Sequence, residues 1–300
     1  MLIEDILIYG ALSGAAYALL ALGFTLIYGV AKVVNMTHGP LFMLGAYMFS
    51  AFVTSLGYHP IENPSASLLP PAIIFAVIFV AIAGIIIYRL FIHSIIENVL
   101  AVMVTTIGAA LIIQQLIINT FGGRDIIVPS LMPGSFKFLG VTVTYSRFLA
   151  AVVSLGLFVG LWIFITKSKI GGAMRAAAQD REVAMLMGIN TMKIYVLTMA
   201  ISASLAAIAG IVITASTTRV AYQLMWFHPL ALSFAIVILG GLGSIKGAFI
   251  GAFIVGYAET AVSFALPEGS FLKGAVALAI MVVVLVLRPK GLFGKRIELE

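Results

Sequence analysis

The sequence predicts an all-α polytopic membrane protein of about 8–9 transmembrane helices. Three observations lead there. The 300 residues are 62% hydrophobic and only 9% charged, against about 25% charged in a soluble domain. Apolar runs long enough to cross a hydrocarbon core, about 20 residues each, recur from one end of the chain to the other. Lys and Arg gather in a few segments between those runs, as they do in loops that stay on the cytoplasmic side.

The runs fall, in order, at 6–30, 37–56, 70–92, 97–121, 147–166, 194–217, 246–266 and 271–288. The first follows Glu4 and Asp5, where a signal peptide would be basic. It also exceeds the length of a signal-peptide core, so it is expected to stay as a span. A shorter run, 229–243, ends in Gly240-Gly241-Leu242-Gly243 and reads as a ninth, tilted span or as a re-entrant half-helix. Lys167, Lys169, Arg175, Arg181 and Lys193 crowd one segment, and Arg288, Lys290, Lys295 and Arg296 follow the last run. Both segments are expected inside, and nine crossings place them there together with Lys32 and Arg89. The chain is then one transmembrane domain over 1–300. It carries an extracytoplasmic loop at 122–146, with the strand-like stretch Phe138–Tyr145, and a cytoplasmic loop at 167–193.

Small residues recur four apart at Gly10/Gly14, Ala203/Ala207, Ala206/Gly210 and Gly247/Gly251. Such pairs let helix backbones approach in lipid. Plain packing accounts for them, and sliding helices are the other reading. Two Gly-containing breaks, in 33–47 and 239–257, resemble each other weakly. Paired interruptions of this kind mark the pathway in transporters with internal repeats.

Reactive constellations are missing from the sequence. There are no cysteines, which excludes disulfides, thiolate metal sites and cysteine nucleophiles. The four histidines are scattered, without a His-Glu-x-x-His zinc pattern, and there is no Gly-x-Ser-x-Gly elbow. The phosphate-loop lookalike 240–249 lacks Ser/Thr after Lys246. The net charge of +6 is not arranged as a basic surface with stacking aromatics, so no nucleic-acid partner is expected. The reading is a transporter rather than an enzyme, with no cofactor and no metal site. His38 and His228 precede Gly39 and Pro229 at the starts of apolar runs and can satisfy backbone groups at a helix end. Glu259 is the clearest ionisable group inside a span. It lies 13 residues after Lys246, about 20 Å along a helix. Gln114, Gln115 and Asn119 fall at a comparable depth as candidate partners, and both a helix–helix hydrogen bond and a gating role suit it.

The charged segment 171–194 is out of character with the rest. Its Ala and Met content predicts one helix over 172–187. Gly188 suits a left-handed residue after the helix end, and Asn190 or Thr191 can cap the next helix. A short charged helix, a glycine turn and a span suit a rigid knob docked in a partner protein. A helix lying on its own bundle or on the membrane surface is the plainer reading.

"AMRAAAQDREVAMLMGIN" (173–190) resembles the ATPase-contacting loop of ABC importer permeases, and in particular the permease family of branched-chain (hydrophobic) amino acid importers. Residues 21–47, with Asn35-x-x-His38-Gly39, resemble that family's first span and turn. Residues 238–260 and 287–295 resemble its Gly-Gly-x-Gly-Ser segment and its C-terminal ending. Lys246 departs from the pattern, since many relatives carry an uncharged residue there. The resemblance implies a multi-pass subunit of the cell inner membrane that works with two ATP-binding subunits. A second related permease (or a second copy of itself) and an extracytoplasmic substrate-binding protein would complete the machine. It implies that Arg175, Asp180, Glu182 and Gly188 carry ATPase coupling, and that Asn35, His38 and Gly39 sit near the pathway, where Glu259 is the candidate gating residue. Urea, short amides or sugars are alternative cargoes of related machines, and a stand-alone ion-coupled carrier or channel is the alternative of a different class.

Overall fold

A computed structural model describes residues 2–58, 67–123, 125–217, 220–222, 225–266, 269–288 and 291–293. His59, Arg124, Lys290, Lys295 and Arg296 lie outside them. The chain runs through α1 (Leu2–Ala31), α2 (His38–Ser55), α3 (Leu69–Ile87), α4 (Val99–Phe121), α5 (Tyr145–Lys167), α6 (Lys169–Gln179), α7 (Arg181–Leu186), α8 (Thr191–Ser216), α9 (Phe227–Gly240), α10 (Ile245–Ala265) and α11 (Gly269–Leu287). Short strands β1 (Ile126–Ile127), β2 (Ser135–Phe138), β3 (Val141–Thr144) and β4 (Val220–Ala221) complete it. The stretch expected to be strand-like, 138–145, holds the turn and second strand of the β2–β3 hairpin; β2 begins three residues earlier, with Ser135 opposite Thr144, and Tyr145 already opens α5.

Among the described residues, six helices are long and apolar enough to cross a membrane: α1, α3 with its continuation to Ile95, α4, α5, α8 and α10. Helix suits these runs because every interior backbone group is paired within the segment, as hydrocarbon demands. The ends are set by local chemistry. Two prolines open α3, where no intrahelical donor is lost. Asn98, Thr144 and Ser244 cap α4, α5 and α10 through their side-chain oxygens. A π-helical turn, Tyr88–Ile92, ends α3.

Small residues, not large apolar ones, decide how the helices pack. A Cβ on Gly14 would meet Phe253 Cα at 3.0 Å, and one on Gly256 would meet the Gly14 nitrogen at 2.6 Å. A Cβ on Gly45 would lie 2.5 Å from Ala207 Cα, and one on Gly84 2.6 Å from the Ala203 Cβ. Gly210 lies against the Phe42 carbonyl, and Gly240 against Gly247. The Ser202 hydroxyl donates to the Gly23 carbonyl at 2.7 Å. With lipid on the outside, close backbone approach and such hydrogen bonds replace the hydrophobic drive for helix association. The small pairs expected from the sequence are therefore packing contacts here.

The apolar helices α2 and α9 are short. α2, of 18 residues, and α9, of 14 residues, span about 27 and 21 Å, less than the ~30 Å of a hydrocarbon core. Their N-termini meet inside the bundle. A Cβ on Gly39 would strike the Trp226 carbonyl and lie 2.9 Å from the Leu230 Cβ. From that point α2 runs to the end that carries the hairpin, where the Ser50 hydroxyl donates to the Ile127 carbonyl at 2.8 Å. α9 runs the other way. Its last residues pair with the C-terminal segment through Leu292 N to the Leu239 carbonyl at 2.8 Å and Phe293 N to the Gly240 carbonyl at 3.0 Å. The run expected at 229–243 holds most of α9, a 14-residue helix too short by itself to span the hydrocarbon core. The first break, 33–39, is met by the start of α9. The second Gly-rich break, at 241–244, instead turns beside Gly29, at the end of the bundle that holds α6 and α7.

Candidate functional site

The charged segment is two helices, not the single helix expected over 172–187. Asp180 makes the break. Its backbone is extended (φ −150°, ψ 119°), and its Oδ1 accepts from Glu182 N at 2.8 Å and Val183 N at 3.0 Å. Aspartate at this place satisfies donors that a continuous helix would satisfy itself, so it starts a new helix. Gly188 takes the expected left-handed conformation, φ +83°. Gly188 N donates to the Met185 carbonyl at 2.9 Å and Ile189 N to the Ala184 carbonyl at 3.0 Å, the two bonds of a Schellman ending. Asn190 then caps α8 by accepting from Lys193 N at 3.0 Å.

The result is a short rod pinned at both ends. Ala184 is buried, while Leu186 and Met187 are 87% and 78% exposed. Val183, Met185 and the Glu182 side chain are exposed as well. Arg175 does not join that face. Its guanidinium donates to the Ile165 carbonyl and ties α6 to the last turn of α5. Arg181 reaches Glu97, in the connection between α3 and α4, at 3.4 Å. A small cavity lined by Lys32, Ala177, Arg181 and Tyr195 sets α6 and α7 beside the connection from α1 to α2. Asp180→Ala is expected to fray α7 at a cost of about 1 kcal/mol. Amide exchange over 181–187 should quicken, and Asp180→Asn, which keeps the acceptor, should exchange like the parent.

The first break is the second cluster. Asn35, Thr37 and His38 are all fully buried. Asn35 Oδ1 accepts from Thr37 N at 3.0 Å and from the Thr37 hydroxyl at 2.6 Å. Its amide donates to Met199 Sδ at 3.4 Å. These bonds hold an extended connector inside a bundle where it has no water to satisfy it. His38 does not satisfy a helix end as expected. Its Nε2–H donates to the Leu20 carbonyl, in the middle of α1, at 3.0 Å, which fixes the tautomer. His38 Cε1 would lie 2.7 Å from a Cβ on Gly23, so glycine there makes room for the ring. Gly39 lets the two short helices abut.

Glu259 is 1% exposed, and its Oε2 accepts from the Tyr17 hydroxyl at 2.8 Å. The partners expected for it are occupied elsewhere. Gln114 accepts from the Trp226 indole at 2.7 Å, and Gln115 donates to Asn119 at 3.2 Å along their own helix.

The third feature has no counterpart in the sequence reading. A cavity of about 250 Å³ runs from Arg147, Thr217 and Tyr222 at the hairpin end down to Leu20 and Phe42. Tyr17, His228 and Lys273 also line it. It therefore reaches the place where α2 and α9 begin. Glu259 stands behind Tyr17. The signal in the sequence was Arg147 and Lys273, two cations close to spans and away from the basic segments. Among the described residues, no group of three or more His, Cys, Asp or Glu side chains could hold a metal ion.

The family described as branched-chain amino acid transport system / permease component matches residues 6–285. The chain is 31% identical to the "High-affinity branched-chain amino acid transport system permease protein BraD" of Pseudomonas aeruginosa, over 96% of this chain and 95% of that protein. It is 32% identical to the corresponding LivH protein of Salmonella typhimurium, over 95% and 94%. Its fold is similar to a chain of the solved structure "PsaBC from Streptococcus pneumoniae in complex with Fab", with a TM-score of 0.52 at 13% identity, covering 95% of this chain and 92% of that one.

Proposed function

The chain belongs to the family of branched-chain amino acid transport permease components, and from that premise we propose that it is the membrane subunit of an ATP-driven importer of branched-chain or other hydrophobic amino acids. It is a multi-pass membrane protein and a non-enzymatic transporter subunit. In this reading two partner subunits hydrolyse ATP, a second permease or second copy completes the pore, and an extracytoplasmic binding protein delivers cargo.

The observation that carries the reading is α7, a rod capped at both ends that is anchored by buried Ala184 and leaves Glu182, Leu186 and Met187 exposed. An apolar face with a charge that sets register suits insertion into a protein groove. Closure of the ATPase pair would push this rod. Arg175 passes the displacement to α5, and Asn190 passes it to α8. The neighbouring α1–α2 connector carries it to His38 and Gly39, where two short helices abut. A junction held by a few buried hydrogen bonds and by close backbone contact is a place where a packed bundle can hold two arrangements. Asn35, His38 and Gly39 are then the hinge of the pathway, and Glu259 braces α1 against α10.

The test is uptake into proteoliposomes holding this chain with its genomic neighbours, with labelled leucine and labelled urea in parallel, with and without trapped ATP. Leucine uptake that requires ATP is expected. ATP-dependent urea uptake without leucine uptake would overturn the cargo. Uptake by this chain alone without ATP would overturn the motor and favour a carrier.

A further inference from the structure

The cavity at the hairpin end presents three kinds of surface to one small molecule, and the geometry points to a binding site in this chain for a zwitterionic amino acid, with its carboxylate on Arg147 and Lys273, its ammonium on Tyr17 and its side chain on Leu20, Phe42 and Leu232. The inference rests on the importer reading above and adds a residue-level cargo site to it.

The cations come first. Arg147 and Lys273 line the cavity from α5 and α11. Among the described residues, neither has a carboxylate within ion-pair distance. The Arg147 guanidinium lies over the Tyr9 ring, 4.8 Å from its centroid, which orients it without neutralising it. Charged side chains within or beside spans are costly and mark substrate paths. Lys273 is within electrostatic reach of the Glu259 carboxyl group behind Tyr17, so two cations face one carboxyl group and a substrate carboxylate would balance the second cation. His228, in the first turn of α9, faces the same space, so the positive end of a short helix adds to the field.

The second surface is Tyr17. Its hydroxyl proton is committed to Glu259 Oε2 at 2.8 Å, so the phenolic oxygen is left as an acceptor. Behind it is a buried carboxylate whose other oxygen, Oε1, has no hydrogen-bond partner. An ammonium placed at Tyr17 would meet an acceptor and a nearby negative group together. The third surface is apolar. Leu20, Phe42 and Leu232 line the cavity where α2 and α9 begin. A neutral amide such as urea has no charge to place on the cations and no aliphatic group for the floor.

The experiment uses the complete assembly in two forms. In proteoliposomes with saturating loaded binding protein, Arg147→Met and Lys273→Met are each expected to lower leucine uptake by about tenfold, equivalent to roughly 1.4 kcal/mol. Lys273→Arg, which keeps the charge, should restore most of it. In nanodiscs without the binding protein, the unaltered complex should bind labelled leucine saturably. Unlabelled leucine should displace it, and leucinamide, which lacks the carboxylate, should not. Unchanged uptake in both methionine variants overturns the site, as does equal displacement by leucinamide or the absence of saturable binding. Each of those outcomes leaves the importer standing if the parent still takes up leucine with ATP. Loss of ATP-dependent uptake in the parent is a different failure and belongs to the importer reading.

Discussion

Gly188→Pro is expected to abolish ATP-dependent uptake while the protein remains in the membrane at normal level. Two features of one residue make the effect large. Gly188 sits at φ +83°, and proline is locked near −65°. Its N–H donates to the Met185 carbonyl at 2.9 Å, and proline has no N–H to donate. The following bond, Ile189 N to the Ala184 carbonyl, depends on the same turn. Both bonds of the helix ending would be lost, and α7 would no longer enter α8 at a fixed angle. A Cβ here meets nothing within 4 Å, so Gly188→Ala feels only the left-handed backbone, a cost of about 1–2 kcal/mol, and should keep part of the activity. The damage lies outside the spans, so insertion should be normal by membrane fractionation. Full uptake by Gly188→Pro would remove α7 from the coupling path.

Gly210→Leu should act on the opposite side of the molecule's design and prevent the bundle from closing. A Cβ at this position would collide with the Phe42 backbone carbonyl. The obstacle is main chain inside α2, so no side-chain rotation relieves it. Overpacking typically costs 1–3 kcal/mol (about that range where a side chain can yield), and the rigid neighbour puts this case at the upper end or beyond. The expected result is a large fall in monodisperse protein on size exclusion in detergent, together with a lower melting temperature. Gly160→Leu is the control. A Cβ there meets nothing within 4 Å, and the variant should elute like the parent. Equal behaviour of the two variants would mean that α2 and α8 do not pack as described.

The mechanistic interest of the fold lies in how these two regions communicate. The short helices α2 and α9 begin against each other in the interior. α2 is reached through the Asn35–Thr37 connector from one end, and α9 follows the β1–β4 pairing at the other. In the proposed function a displacement at α7 would enter this junction from one end, and cargo in the hairpin-end cavity would touch it from the other through Phe42 and Pro229. Both would bias the same packed contact, which is the physical requirement for coupling two sites.

By itself the sequence determined the membrane class, the positions of the long spans, the left-handed Gly188, a cap at Asn190 or Thr191 and strand-like residues within 138–145. Each of these follows from local chemistry: composition against lipid, one glycine's freedom, one side-chain oxygen within reach of a nearby N–H. It also singled out Asp180 but missed that Asp180 divides the helix, because Ala-rich propensity runs through that position and only the extended backbone reveals the cap. The tertiary structure alone decided which residues face each other. Glu259 meets Tyr17 rather than Gln114, since depth along a helix can be read from spacing but rotation about its axis is set by packing. Likewise Arg147, Lys273 and Tyr17 come from three helices far apart in the chain. They share a cavity because α5 packs on α1 and α11 packs on α9, and that proximity is a property of the packed bundle rather than of any one segment.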